Sequence, residues 1–296
     1  MKRKKQQHPI QLLFMKILWA GMFAAFLYAS ACVFLFFVQT RLIFVPRTVI
    51  EKTPELFNLQ YEELWLPVFD TTGKAERIHG WWIKANQAES KVLLYLHGNG
   101  FNIGANIAQA KIFQQMGFSV LLIDYRGYGR SEGSFPSEVQ VYQDAATAWD
   151  YLVKDKKIPP SQILIYGHSL GGAIAIDLAA KYPDAAGLIV ESTFTSIRKV
   201  IDYRNTFWMF PVDLILTQGF ESIDKVSKLK MPILFIHGTA DSTIPAFMSE
   251  QLYNAAPEPK KLILIDGAGH NNVANAAPYQ YVQGVKSFLE EVFVKY

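Results

Sequence analysis

Short runs of consecutive apolar residues recur along the chain: Val92 to Leu96, Val120 to Ile123, Ile163 to Ile165, Leu188 to Val190, Ile233 to Ile236 and Leu262 to Ile265. Stretches near 103–115, 137–153, 170–181, 246–255 and 278–294 separate them and predict helices. Strands that are apolar on both faces and alternate with helices predict a mainly parallel sheet covered on both sides. Upstream, Glu63 to Leu66 and Ile78 to Lys84, with Trp81 and Trp82, read as two further strands. Asp70-Thr71-Thr72-Gly73-Lys74 reads as the hairpin turn between them. There is no internal repeat and no low-complexity segment.

The pattern at the N-terminus is different. Ile17 to Thr40 carries no charge and shows no polar face. As a helix its 24 residues would span about 36 Å, enough to cross a bilayer. Lys2, Arg3, Lys4, Lys5 and Lys16 lie before it without an acid among them. The positive-inside rule therefore places the N-terminus in the cytoplasm and the rest of the chain on the opposite side. Ala29-Ser30-Ala31 before Cys32 offers a processing or lipidation reading, but the apolar run continues through Val38, which favours an uncleaved anchor. Residues 41–60, broken by Pro46 and Pro54, predict a connector, a tether with a reach of at most about 70 Å. The expected layout is a basic segment at 1–16, a transmembrane helix at 17–40, the connector at 41–60 and one α/β domain at 61–296.

Charge and cysteine content narrow the function classes. Five of the 29 basic residues fall in 1–16, which leaves 24 against 26 acidic residues elsewhere. A body this close to neutral argues against nucleic acid as a partner. Cys32 is the single cysteine, so no intrachain disulfide and no cysteine-based metal site can form.

The candidate chemistry begins at Gly167-His168-Ser169-Leu170-Gly171-Gly172, between a predicted strand and a predicted helix. Gly-x-Ser-x-Gly alone is a weak signal; strand, sharp turn and helix are the context that gives it meaning. The turn would lift the Ser169 hydroxyl off the sheet edge, with glycine required at 167 and 171 where backbones come too close for a Cβ. A serine hydroxyl needs a base. Of the six histidines, His8 precedes the apolar segment and His79 sits in the N-terminal strand region, while His97, His168 and His237 follow strands beside glycine and suit structural roles. His270 follows the last core strand on a small-residue loop and is the candidate base. Asp241, just past another strand in His237-Gly238-Thr239-Ala240-Asp241, is the candidate orienting acid, with Glu191 as the substitute. The chain order Ser169, Asp241, His270 is that of α/β-hydrolases. Acyl transfer also needs donors for a developing oxyanion. The backbone N–H groups of Asn99, in Leu96-His97-Gly98-Asn99-Gly100, and of Leu170 are assigned that role.

These motifs, with Asp124-Tyr125-Arg126-Gly127-Tyr128-Gly129 and Gly269-His270, make residues 61–294 resemble the α/β-hydrolase fold serine hydrolases. The sequence is most similar to their membrane-anchored branch, which includes protein-depalmitoylating thioesterases. The resemblance implies an α/β-hydrolase fold with a minimal lid, and hydrolysis of an acyl ester or thioester without metal or cofactor. Many such enzymes carry their lid where residues 195–229 lie. There Phe207-Trp208-Met209-Phe210-Pro211 and Leu214-Ile215-Leu216 suit either ordinary core packing or an apolar acyl-binding wall or membrane-facing patch. A non-catalytic lipid- or partner-binding protein, and a peptidase or acyltransferase using the same three residues, are the alternative readings. The motifs name neither the acyl length nor the leaving group.

Overall fold

A computed structural model describes residues 9–69, 73–86 and 91–294. Residues 70–72 of the expected hairpin turn, the cluster Lys2 to Lys5 and His8 lie outside the described residues.

The apolar runs form one eight-stranded sheet. Its strands are β1 (Tyr61–Phe69), β2 (Ala75–Ile83), β3 (Lys91–Leu96), β4 (Phe118–Ile123), β5 (Ile163–His168), β6 (Gly187–Glu191), β7 (Ile233–Gly238) and β8 (Lys260–Ile265). The spatial order is β8-β7-β6-β5-β3-β4-β2-β1. All neighbours from β8 to β4 pair in parallel; β4–β2 and β2–β1 are antiparallel. The interior strands β3 to β7 are buried almost throughout because side chains leave each strand alternately to two apolar cores, one on each face. Order reverses beside β3, so the C-terminal ends of β3 and β5 flank a crevice of the kind in which open α/β sheets bind ligands.

The helices are α1 (Pro9–Ile43), α2 (Ile107–Gln115), α3 (Glu138–Asp150), α4 (Leu170–Lys181), α5 (Ile197–Arg204), α6 (Val212–Ile215), α7 (Ser222–Val226), α8 (Phe247–Ala255), α9 (Val273–Ala276) and α10 (Pro278–Val294). The N-terminal helix is longer than the uncharged run 17–40 and takes in Lys16 and Arg41. Charge limits where a helix can sit in a bilayer; it does not end the backbone hydrogen bonding. From Ile10 to Ile43 the helix is long and apolar enough to cross a membrane, and most of its side chains face outward from the protein.

The expected tether at 41–60 is corrected. Phe44 is buried in the core, and Val45–Pro46 pairs in parallel with Gly100–Phe101. Arg47 N–H donates to the Phe101 carbonyl, and Asn102 Nδ2 donates to the carbonyls of Arg47 and Val49. A strap with this many backbone partners is part of the domain. Its two prolines sit where no interior strand needs their missing N–H.

Candidate active site

The turn after β5 is as tight as its glycines imply. A Cβ on Gly167 would lie 2.1 Å from the Gly171 carbonyl oxygen, and one on Gly171 would lie 2.1 Å from that of Leu96. Ser169 takes φ 55° and ψ −121°, a conformation costly for a residue with a side chain. Its backbone is pinned on both sides: Ser169 N–H donates to the Glu191 carbonyl at 2.8 Å, and Thr193 Oγ1 donates to the Ser169 carbonyl at 2.8 Å. The hydroxyl is thereby held at the N-terminus of α4.

Ser169, His270 and Asp241, each from a separate strand end, meet there. His270 Nε2 is 2.9 Å from Ser169 Oγ, and His270 Nδ1 is 2.7 Å from Asp241 Oδ2. With Nδ1–H donating to the carboxylate, Nε2 is left to accept from the serine hydroxyl. The Oδ1 of Asp241 accepts from the N–H groups of Thr243 and Ile244 at 2.8 and 2.9 Å. Burial opposes ionisation of Asp241, but hydrogen bonds from His237, His270 and the Ile244 N–H outweigh it and hold the carboxyl well below its ordinary range.

Two of the histidines read as structural hold this constellation in place. His237 Nε2 donates to the Ile244 carbonyl at 2.9 Å and lies 3.2 Å from Asp241 Oδ2, while its Nδ1 faces Ser249 Oγ at 2.6 Å. His168 Nε2 donates to the His270 carbonyl at 3.0 Å. Burial, and the neighbouring His270, lower the His168 pKa to about 4 and keep it neutral. Glu191, the substitute acid, points elsewhere. Its Oε2 accepts from Tyr166 and Tyr281 hydroxyls at 3.0 and 2.8 Å, and burial pushes its carboxyl upward.

The loop after β3 faces the serine. Leu170 opens α4, so its N–H is one of the donors a helix leaves unpaired in its first turn. Asn99 is held by its other groups: its side-chain Nδ2 donates to the Ile43 carbonyl at 2.9 Å, and its carbonyl accepts from Val45 N–H and Tyr128 Oη. Among the described residues no hydrogen bond occupies the Asn99 N–H. The Asp124-to-Gly129 motif buttresses this loop through Tyr128 and through Tyr125 Oη, which donates to the His97 carbonyl at 3.0 Å. Gly129, at φ 50°, admits no side chain, because a Cβ would meet Asp124 Oδ2 at 1.9 Å. Within the motif, buried Arg126 pairs with Asp144 at 2.7 Å.

Ser169 lies where two cavities meet. One, of about 220 Å³, is largely apolar and lined by α1, α5 and the 206–216 segment. The other, of about 670 Å³, holds more polar groups, among them Asn106, Gln109, Asn271 and Asn275. Phe207 lines the apolar cavity, whereas Trp208, Met209 and Leu214 are 74, 59 and 82 % exposed, so this segment is not ordinary core packing. Gln39, Leu42 and Ile43 of α1 also line the apolar cavity, which the sequence reading did not foresee. Among the described residues no group of three or more His, Cys, Asp or Glu is arranged to hold a metal ion.

The family model described as serine aminopeptidase, S33 matches residues 87–211. The chain is 32% identical over 226 residues to human alpha/beta hydrolase domain-containing protein 17B, covering 75% of this chain and 74% of that protein. It is 34% identical over 213 residues to protein bem46 of Schizosaccharomyces pombe, covering 71% and 70%. Among solved structures, the Pyrococcus furiosus esterase Pf2001 superposes with a TM-score of 0.69 at 20% identity, covering 84% of this chain and 99% of that one. That likeness speaks to the fold, and the two relatives above speak to descent. The chain belongs to the α/β-hydrolase family.

Proposed function

We propose that this hydrolase is a membrane-anchored serine esterase or thioesterase working through an acyl-enzyme. The observation that carries the reading is the continuous hydrogen-bonded line Ser169–His270–Asp241 at the mouth of an apolar cavity. Ser169 Oγ attacks the acyl carbonyl while His270 Nε2 takes its proton. Asp241 fixes the imidazole tautomer and stabilises the imidazolium. Negative charge then builds on the former carbonyl oxygen, and the N–H groups of Leu170 and Asn99 are its donors, aided by the N-terminus of α4. On collapse the alcohol or thiol leaves with the proton from His270. A water molecule, deprotonated by the same nitrogen, attacks the acyl carbon, and the acid is released with Ser169 restored. The apolar cavity takes the acyl group and the more polar one the leaving group.

Anchoring through α1 is supported by its length, its apolar surface and the five basic residues at its N-terminal side. The test is labelling of the full-length protein with a fluorophosphonate, followed by turnover of p-nitrophenyl esters and acyl thioesters. Ser169→Ala should lose labelling and on the order of 10⁶ in kcat. Absence of labelling in the unaltered protein would favour the binding-protein alternative, and turnover of aminoacyl amides in place of esters would favour the peptidase.

A further inference from the structure

The apolar cavity at Ser169 does not stop at the domain. Gln39, Leu42, Ile201, Phe207 and Leu216 line it and also line a second apolar compartment of about 50 Å³. That compartment extends to Leu35, Phe210 and Ile215. From Leu42 to Leu35 the groove therefore follows α1 for about 10 Å, away from the sheet and toward the middle of the apolar helix.

The second compartment is lined by one polar side chain, Gln39, and it is already satisfied. Gln39 Oε1 accepts from Thr217 N–H at 2.7 Å, and Nε2 donates to the carbonyls of Phe36 and Ile215 at 2.8 and 3.0 Å. An amide with both ends occupied joins α1 to the segment around α6 without leaving a polar atom for an apolar occupant to bury. A second fastening lies eleven residues earlier, about three turns along the same face. Tyr28 Oη donates to the Met209 carbonyl at 2.8 Å, and the Tyr28 ring stacks on Phe210 at 5.8 Å. Beside these contacts the segment leaves Trp208, Met209 and Leu214 exposed, and the apolar side chains of α1 are mostly exposed as well. An apolar surface continuous with a helix of spanning length suits lipid and not water.

We infer that α1 is one wall of the acyl-binding site, and that the long acyl chain of a bilayer-resident ester or thioester lies lengthwise between α1 and residues 207–216. This rests on the esterase or thioesterase reading of Ser169. An apolar path from bilayer to serine spares the chain a passage through water, which would disfavour it about fourfold for each methylene. Acyl-length selectivity is then set by residues of the membrane helix, with Leu35 at the far end of the groove.

The full-length protein in phosphatidylcholine vesicles is assayed with p-nitrophenyl butyrate and p-nitrophenyl palmitate, and the ratio of their kcat/KM values is read within each variant. Leu35→Trp should lower the palmitate-to-butyrate ratio tenfold or more, since two displaced methylenes are worth about fourfold each. Leu35→Ala should shift the preference toward longer chains. Phe37→Trp, on a residue 74 % exposed and outside both cavities, should leave the ratio as it was. Fluorophosphonate labelling reports whether each variant keeps an assembled site, and if Leu35→Trp does not, Leu35→Ala decides. A ratio unmoved in labelled Leu35 variants overturns the inference, as does an unaltered protein that cleaves butyrate but not palmitate. Failure to cleave either ester, or any acyl thioester, overturns the reading of Ser169 itself. A monoacylglycerol and an S-palmitoyl peptide, assayed in the same vesicles, distinguish a lipid from an acylated protein as the source of the chain.

Discussion

His168 Nε2 donates its proton to the backbone carbonyl of His270 at 3.0 Å, joining residues 102 positions apart. The neighbour of Ser169 thus holds the loop that carries His270. Its pKa, lowered to about 4, means the folded protein refuses a proton that the unfolded chain accepts near 6.5. The stability contributed by neutral His168 is therefore full above about pH 6.5 and is lost progressively as pH falls toward about 4. His168→Gln keeps a side-chain donor but does not titrate. Thermal unfolding followed from pH 7.5 to 4.5 should show a shallower loss of stability in this variant than in the parent. His168→Phe, which removes the donor, should lower kcat by roughly 10²-fold through misplacement of His270, with a smaller effect on KM.

The two candidate acids are separable by substitution. Asp241→Asn should lose roughly 10⁴ in kcat, because the amide favours the wrong imidazole tautomer. Glu191→Gln leaves acceptors for Tyr166 and Tyr281 and should stay within about tenfold of the parent in kcat. Steady-state kinetics on one short ester decide the matter, and the reverse pattern would exchange the two roles.

Gly171 has no room for a methyl group. A Cβ there would meet two backbone oxygens, those of Leu96 and His97, at 2.1 and 2.5 Å, and neither can rotate away. Gly171→Ala should destabilise the fold by more than about 3 kcal/mol, in the range reserved for core overpacking and broken backbone geometry. Denaturant unfolding of the purified variant checks this. Gly100→Ala, where a Cβ would meet nothing within 4 Å, is the control.

Topology gives a fourth expectation. Residues 17–40 should hold the protein in the membrane with the N-terminus cytoplasmic and the catalytic domain on the opposite side. Alkaline carbonate should leave the protein in the membrane fraction, and protease added outside intact cells or spheroplasts should digest the domain. Protection from that protease would invert the orientation, while release by carbonate would point to processing near Cys32 or to peripheral attachment.

The sheet was legible because strands buried on both faces must be apolar without interruption, and β3 to β7 are. The positions of Ser169 and Asp241 were legible because each sits one short turn beyond such a run, and that of His270 because it follows the apolar run Leu262 to Ile265 at the sheet edge. The docking of α1 was not. A helix apolar on every side carries no periodicity to say which side meets protein. In hindsight the signal lay in its few polar residues: Tyr28 and Gln39, the single amide between 17 and 40, make the hydrogen bonds to residues 209–217. The roles of Tyr125 and Tyr128 were hidden for another reason. Both reach the loop after β3 from 28 and 29 residues away, a distance only tertiary structure closes.

The bonds from Tyr28 and Gln39 to Met209 and Ile215 join residues 181 and 176 positions apart. With α1 as the proposed anchor, the helix would emerge during synthesis and enter a bilayer well before its partners had been made, since chains fold from the N-terminus onward. One wall of the groove would then stand in lipid first, and the domain would assemble against it, paying the loop-closure entropy of a long intervening chain last. On the same proposal, heat or denaturant that melts the sheet would leave this wall inserted, so the protein would refold from a chain already fixed at one end.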